Sequence, residues 1–184
     1  AGCISVNKDL FFFTRWTPGN PNECNIYVSK YLNGKWLQPV KLGINTEGYK
    51  SMQPNLSFDG TKLFFSSNRP GGNGKMDIWY CDVDEFGNSG TAYNCGPKIN
   101  SAENEIAPFY HYKTNTLYFS SDGMVGLGGM DIYKAYGEDE DPGSVDSNWT
   151  TSLNIKAPIN SAKDDVYFVL SNDGKQGYFS SDRD

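Results

Sequence analysis

A serine pair followed by an acid or amide recurs along this chain. Ser66-Ser67-Asn68, Ser120-Ser121-Asp122 and Ser180-Ser181-Asp182 each close an aromatic phrase. A serine beside a carboxylate invites a nucleophilic reading, but the hydroxyl needs a base to take its proton. The one histidine, His111, would have to serve. Aligned on the repeats it falls opposite Ser57, in a hairpin away from the serines. A polar residue present in every repeat can instead satisfy buried groups of a neighbouring unit. These serines are therefore expected to hold the fold, and no catalytic residue is assigned.

Two further sets of residues could do chemistry. Glu138, Asp139, Glu140, Asp141 and Asp146 form an acidic stretch. Calcium loops need a tighter acidic spacing with a glycine, so a solvated loop, available as a contact, is expected. The four cysteines fall as two local pairs, Cys3 with Cys24 and Cys81 with Cys95. Neither pair has CxxC spacing, so no metal site or cofactor is expected. The pairs either form disulfides or remain buried thiols. A Cys81–Cys95 bridge would be worth roughly 3 kcal/mol in the chain-entropy view.

The bulk properties exclude other partners. The chain has 184 residues and a net charge of -6. A nucleic-acid partner would need a basic stripe. No apolar run approaches the roughly 20 residues of a membrane helix. Twenty glycines and nine prolines, with 15% aromatics, suit many short strands joined by turns.

The elements that must position these residues follow from the repeat. Phe64-Phe65-Ser66-Ser67, Tyr118-Phe119-Ser120-Ser121 and Tyr178-Phe179-Ser180-Ser181 are copies of one phrase, and Phe12-Phe13-Thr14-Arg15 is a looser one. Phe13, Phe65, Phe119 and Phe179 lie 52, 54 and 60 residues apart. Such self-similarity means stacked units that bury one another's apolar faces. Each unit reads as four strands, A to D. In the second, Asp59-Gly60 turns strand A into B, a glycine-rich loop follows Asn68, and Asp77-Ile78-Trp79 opens strand C. Strand D runs out at Ile99-Asn100. The predicted fold is all-β: a β-propeller of four-stranded antiparallel blades, with about three and a half blades present. The blades are expected at 1–46, 47–101, 102–161 and, incomplete, 162–184.

The pattern S-x-D-G-x-x-x-[YF]-F-S-S-[ND]-[RG], a glycine-rich loop, then [DN]-I-[YW], resembles the TolB-type, WD-repeat-like propeller repeat. The run from Phe65 to Trp79, with the Ile-Asn-Ser phrases, also looks like propeller segments of Bacteroidota envelope proteins, among them PorE-like subunits of the type IX secretion and gliding machinery. That resemblance implies a non-enzymatic scaffold in the periplasm, associated with the outer membrane. Peptidoglycan would be reached only through an OmpA-like domain outside this chain. Asp59-Gly60 and Asp173-Gly174 also resemble the Asp-box turn of sialidases, though a Phe/Tyr-Phe-Ser-Ser strand follows. The competing expectation is an accessory propeller of a secreted glycosidase or serine peptidase.

Three and a half blades do not close a ring, so the remaining blades are expected from another chain, fragment or copy. Specific function should lie where the repeats differ. The B–C loops and D–A connections are expected on one rim. It would carry Arg15, Trp16, Asn68, Arg69, Met124, Asp182 and Arg183, with Asn100, Ser101, Glu103, Asn160 and Ser161 beside them. Arginines and tryptophan suit a protein interface.

Overall fold

A computed structural model describes residues 1–138 and 148–183. Blade one holds β1 (Gly2–Ile4), β2 (Leu10–Thr17), β3 (Asn20–Leu32), β4 (Lys35–Trp36) and β5 (Val40–Lys41). Blade two is β6 (Ser51–Leu56), β7 (Lys62–Ser67), β8 (Asp77–Val83) and β9 (Ser89–Asn94). Blade three is β10 (Glu105–His111), β11 (Thr116–Ser121), β12 (Asp131–Tyr136) and β13 (Leu153–Asn154). β14 (Asp165–Leu170) and β15 (Gly177–Ser181) form a two-stranded sheet after them. Neighbours in sequence pair antiparallel, with β4 and β5 sharing the fourth-strand position beside β3. The architecture is a partial propeller, as the repeats require.

Period-two alternation gives each sheet two apolar faces, and the facing sides of adjacent blades pack together. Leu10, Phe12, Ile26 and Val28 of blade one meet Leu63, Phe65, Trp79 and Cys81 of blade two. Phe64, Ile78 and Tyr80, on the other face of blade two, meet Leu117, Phe119, Tyr133 and Trp149. Cys81 and Cys95 thus belong to different clusters, on opposite sides of one sheet. Cys3 lies opposite Phe12 and Cys24 opposite Trp16 along β2. Four residues of strand separate those positions by about 13 Å, beyond the reach of a disulfide. All four cysteines are free thiols. This corrects the bridged alternative for both pairs.

The hairpins between first and second strands are built alike. Ser57 Oγ donates to Asp59 (2.5 Å) and accepts from the Lys62 N–H (2.9 Å), while Asp59 also accepts from Thr61 Oγ1 (2.9 Å). Gly60, at φ 78°, completes the turn. Ser5 with Asp9 and Ser171 with Asp173 repeat the contact at 2.6 and 2.7 Å. The Asp-box-like aspartates are turn builders here. Blade three substitutes His111, whose Nδ1 lies 2.7 Å from Thr114 Oγ1.

Every inner strand from β6 onward carries a bulge with a left-handed residue: Gln53 (φ 56°), Ala107 (φ 54°) and Tyr167 (φ 59°). Such backbone costs energy for non-glycine residues and must be held by its surroundings. Gln53 supplies that hold. Its side-chain oxygen accepts from Ala107 N (3.0 Å) and Ser66 Oγ (3.1 Å), and its amide donates to Tyr167 Oη (2.8 Å).

Blade one departs from the repeat. β2 and β3 run through Thr17 and Asn20 as one hairpin, turned by Pro18 and Gly19. No glycine-rich loop intervenes, so Arg15 and Trp16 sit in β2 near the hairpin tip, where a loop was expected. The outer face of this blade exposes an aromatic ladder. Phe11 stacks on Phe13 at 5.1 Å and meets Trp36 at 5.9 Å. At the other end of the arc Tyr178 is 69% exposed.

Candidate functional site

The rim is assembled from strand ends, and the shared residues there are occupied internally. The last residue of each phrase ties the second strand to the start of the first. Asn68 accepts from Lys50 N (2.7 Å), Asp122 from Asn104 N (2.8 Å) and Asp182 from Asp164 N (2.8 Å). Asn45, Asn100 and Asn160 each clamp a third-strand isoleucine by both backbone groups. Their side-chain oxygens accept from Ile26, Ile78 and Ile132 N at 2.8, 2.8 and 2.9 Å. Their amides donate to the same residues' carbonyls at 2.8, 3.0 and 2.8 Å. A side chain is thus imitating a strand partner where the fourth strand has ended.

Buried carboxylates fold the glycine-rich loops. Asp77 accepts from Gly74 N (3.0 Å), Asn73 N and Asn94 Nδ2 (2.8 Å). Asp131 accepts from Leu127 N and, at 3.4 Å, from Gly128 N. The sequence reading missed the Asn45-type clamps and these two loop-holding aspartates. Their signal was present in the recurring Ile-Asn and Asp-Ile phrases.

Two of the predicted rim arginines are also engaged. Arg69 lies over Phe65 (4.7 Å) and Trp79 (5.2 Å), and donates to Ser67 Oγ (3.1 Å) and Ser51 Oγ (3.0 Å). Burial lowers its pKa to about 10. Arg183 lies over Phe179 at 5.2 Å and donates to Ser181 Oγ (2.7 Å), the Pro158 carbonyl (2.7 Å) and the buried Asp165. Burial works against the Asp165 charge. Hydrogen bonds from Ser181, Arg183 and Ser161 overcome it and hold the carboxyl below its usual range.

Ser161 caps Asp165 and Ser101 caps Glu105, while Glu103 pairs with Lys75. Three of these serines are spent likewise, Ser66 on Gln53, Ser67 on the Lys50 carbonyl (2.6 Å) and Ser121 on Glu105 (2.6 Å), whereas the Ser120 hydroxyl is buried without a partner. His111 Nε2 lies 3.2 Å from the Ser171 carbonyl. None of these serines is placed against the histidine.

What remains open on the rim is Arg15, Trp16 and the Met124–Val125 loop. Trp16 is 49% exposed with Lys50 Nζ 5.6 Å from its ring, and Arg15 lies 5.7 Å from Tyr27. Val125 is 96% exposed. A groove of about 530 Å³ runs beside it, lined by Lys98, Asn100, Ser101, Gly123, Met124, Tyr133 and Asn154 among others. A B–C loop (Gly123, Met124) and a D–A connection (Asn100, Ser101) thus line one groove. The acidic residues Asp139, Glu140, Asp141 and Asp146 lie outside the described residues, while Glu138 pairs with Lys98 at 3.2 Å. No cluster of metal-binding side chains occurs among the described residues.

No family model matches this chain. No curated protein matches it either. Solved structures do. A protein described as TolB from Agrobacterium tumefaciens superposes with a TM-score of 0.67 at 20% identity, over 97% of this chain and 52% of that one. TolB from Acinetobacter baumannii gives 0.57 at 16% identity, over 97% and 36%. The periplasmic gluconolactonase PpgL of Pseudomonas aeruginosa gives 0.57 at 11% identity, over 97% and 49%. The chain therefore spans about half or less of these proteins. At such identities the likeness establishes the fold, a TolB-like β-propeller, and leaves function to the site.

Proposed function

We propose that this chain is a non-enzymatic docking module of a larger envelope protein, working in the periplasm and associated with the outer membrane. Its rim binds protein partners, in secretion or peptidoglycan-associated complexes such as the PorE-like ones that its phrases resemble. One observation carries the reading. Most polar residues common to the blades are consumed in holding the fold, whereas Arg15, Trp16 and the Met124–Val125 loop, which the repeat does not require, present cationic and apolar surface on the rim, Val125 carrying the exposure of that loop. The exposed aromatic face of blade one is where further blades, from another chain, fragment or copy, would pack. The fold's likeness to TolB structures and to a periplasmic protein supports the compartment.

A second reading keeps the chain as the propeller of a hydrolase, supported by its likeness to a gluconolactonase. The two readings part in one experiment. Cross-linking in envelope extracts, with Arg15→Glu and Trp16→Ala alongside the unaltered chain, is expected to show defined adducts that the substitutions abolish. Adducts unchanged by both substitutions, or turnover of lactone or glycoside substrates lost on replacing one rim carboxylate, would refute the docking role.

A further inference from the structure

Charge is spread unevenly along this acidic chain. Residues 1–46, which form blade one, hold five cations (Lys8, Arg15, Lys30, Lys35, Lys41) against two acids (Asp9, Glu23), although the net charge of the whole is -6. Two of these cations, Lys30 and Lys41, line one groove of about 300 Å³ between the outer parts of blades one and two. One wall is β5 with Leu42 and Gly43 after it. The fourth strand of blade one is broken just before that wall. β4 pairs with Tyr31 and Leu32, β5 with Tyr27 and Val28, and Pro39, which has no N–H to give a ladder, stands between them. The opposite wall is the β8–β9 turn, folded by Asp84, which accepts from Asn88 N (2.8 Å), Asn88 Nδ2 (2.8 Å) and Phe86 N (2.9 Å). Gly87 seats that turn against blade one, since a β-carbon there would meet Leu10 and Val28 at 3.1 and 3.2 Å.

The lining joins positive charge that no carboxylate neutralises to apolar surface. Lys30 makes no ion pair among the described residues, and Lys41 meets only Glu23, at 3.9 Å. An exposed pair at that distance contributes little. Asp9 and Glu85 border a neighbouring hollow that Lys30 also lines, without pairing to it, and Asp84 is bonded within its own turn. The backbone adds a donor. Leu42 N turns inward to the Ile26 carbonyl (3.0 Å), so the alternation of an antiparallel ladder puts the Lys41 N–H on the outer edge of β5, where no strand pairs with it. Val28 and Leu42 are buried beneath the groove, and Val40 beside them is 63% exposed.

We propose that this groove takes a carboxylate carried on a short aliphatic stem, a glutamate side chain or the C-terminal residue of a partner segment. The carboxylate accepts from the Lys30 and Lys41 ammonium groups and from the Lys41 N–H, while the stem lies on Val28, Val40 and Leu42. Charge-assisted hydrogen bonds of this kind are the strong ones, and two ammonium groups on flexible stems can close on one carboxylate. The rest of the chain is acidic and repels an acidic partner, so the cations of blade one decide where such a partner meets it. The proposal deepens the docking reading and rests on it for the partner being a protein. It adds a contact made by residues other than Arg15 and Trp16.

The test follows the intact chain by amide NMR at low salt. N-acetyl-leucine offers a terminal carboxylate and N-acetyl-glutamate amide a side-chain one, with N-acetyl-leucine amide and N-acetyl-glutamine amide as their uncharged counterparts. Saturable shifts at Lys41, Leu42, Gly43 and Asn88 are expected with at least one carboxylate, and the one that binds identifies the source. Its uncharged counterpart should bind at least about tenfold more weakly. Salt raised from about 0.05 to 0.5 M should weaken the carboxylate several-fold and leave the counterpart unchanged. Lys30→Gln and Lys41→Gln should each weaken it about fivefold, and the double substitution should abolish saturation. Because the comparison of probes needs no substitution, an unstable variant leaves the test intact. Unsaturable shifts with both carboxylates, shifts centred elsewhere, equal binding of the uncharged counterparts, or binding that survives the double substitution would each overturn the proposal. Failure here with cross-linking still lost in Trp16→Ala would leave the docking role standing.

Discussion

Arg183 reaches back eighteen residues along the chain to pair with the buried carboxylate of Asp165, tying the second strand of its sheet to the first residue of the inner one. One blade earlier the same two positions hold Gly123 and Glu105. A shared backbone plan thus carries opposite electrostatics in adjacent units: a carboxylate held ionised by a guanidinium, and a carboxylate whose charge is opposed by burial.

That opposition has a pH signature. Asp165 has its folded pKa below its ordinary value of 3.8, so it stabilises the fold above that value and loses the contribution as pH falls through the folded pKa. Asp165→Asn is expected to cost about 1–3 kcal/mol at neutral pH and progressively less below about pH 4. Glu105 has its folded pKa raised above its ordinary 4.5, so the fold is favoured while the carboxyl is protonated and loses stability as pH rises through the folded pKa. Relative to the unaltered chain, Glu105→Gln should therefore gain stability from acid to neutral pH. Urea midpoints between pH 3 and 7 would check both; parallel pH curves for the two variants would contradict the assignment.

The asparagine clamps should be costly to remove. Asn100→Ala leaves the Ile78 N–H unpaired in the core and its carbonyl with Cys95 N as its remaining partner, at about 1–3 kcal/mol for the buried groups. Asn100→Asp keeps the acceptor but loses the donor to the Ile78 carbonyl, so it is expected to rescue only part. Denaturant unfolding should show a lower midpoint at unchanged slope.

Gln53 links three blades, and its removal should loosen more than one. Gln53→Ala strips partners from Ala107 N, Ser66 Oγ and Tyr167 Oη together. A loss of about 2–4 kcal/mol is expected. Hydrogen exchange should speed at the Ala107 amide in blade three as well as within β6. Exchange confined to blade two would show the link to be weak.

The thiols are expected to be unreactive until the chain unfolds. Burial raises the Cys3 and Cys81 thiols to about 12 and moves Cys24 and Cys95 upward as well. Only the thiolate reacts. Alkylation without reductant should label four cysteines in denaturant and scarcely any in the native protein. A mass two hydrogens lighter, with two thiols blocked, would restore the disulfide alternative.

The repeat made the architecture legible. Residues such as Phe65 and Phe119, recurring with Asp-Gly turns and glycine-rich loops, imply blades because a lone four-stranded sheet cannot bury both of its apolar faces. It also identified the serine pairs as structural, since a residue required in every unit serves the unit. The rim was only partly legible. Asn68, Arg69, Asp182 and Arg183 sit on the face expected, yet they are spent on backbone, serine and carboxylate partners within the blades. Arg15 and Trp16 fall in a strand, because nothing in the looser first repeat shows that β2 and β3 continue through a two-residue turn.

What the sequence alone determined was what local pattern carries: the strand order within a repeat, the Asp-Gly turns and glycine-rich loops of the later repeats, and the all-β class. What only the tertiary structure decided was how side chains distant in sequence meet. It put Cys81 and Cys95 on opposite faces of one sheet, joined Gln53 to Tyr167 across the inner strands, and left Glu105 without the arginine that Asp165 has. The physical reason is that periodicity reports which face a residue occupies, whereas pairing, charge compensation and burial depend on what the next blade places against that face.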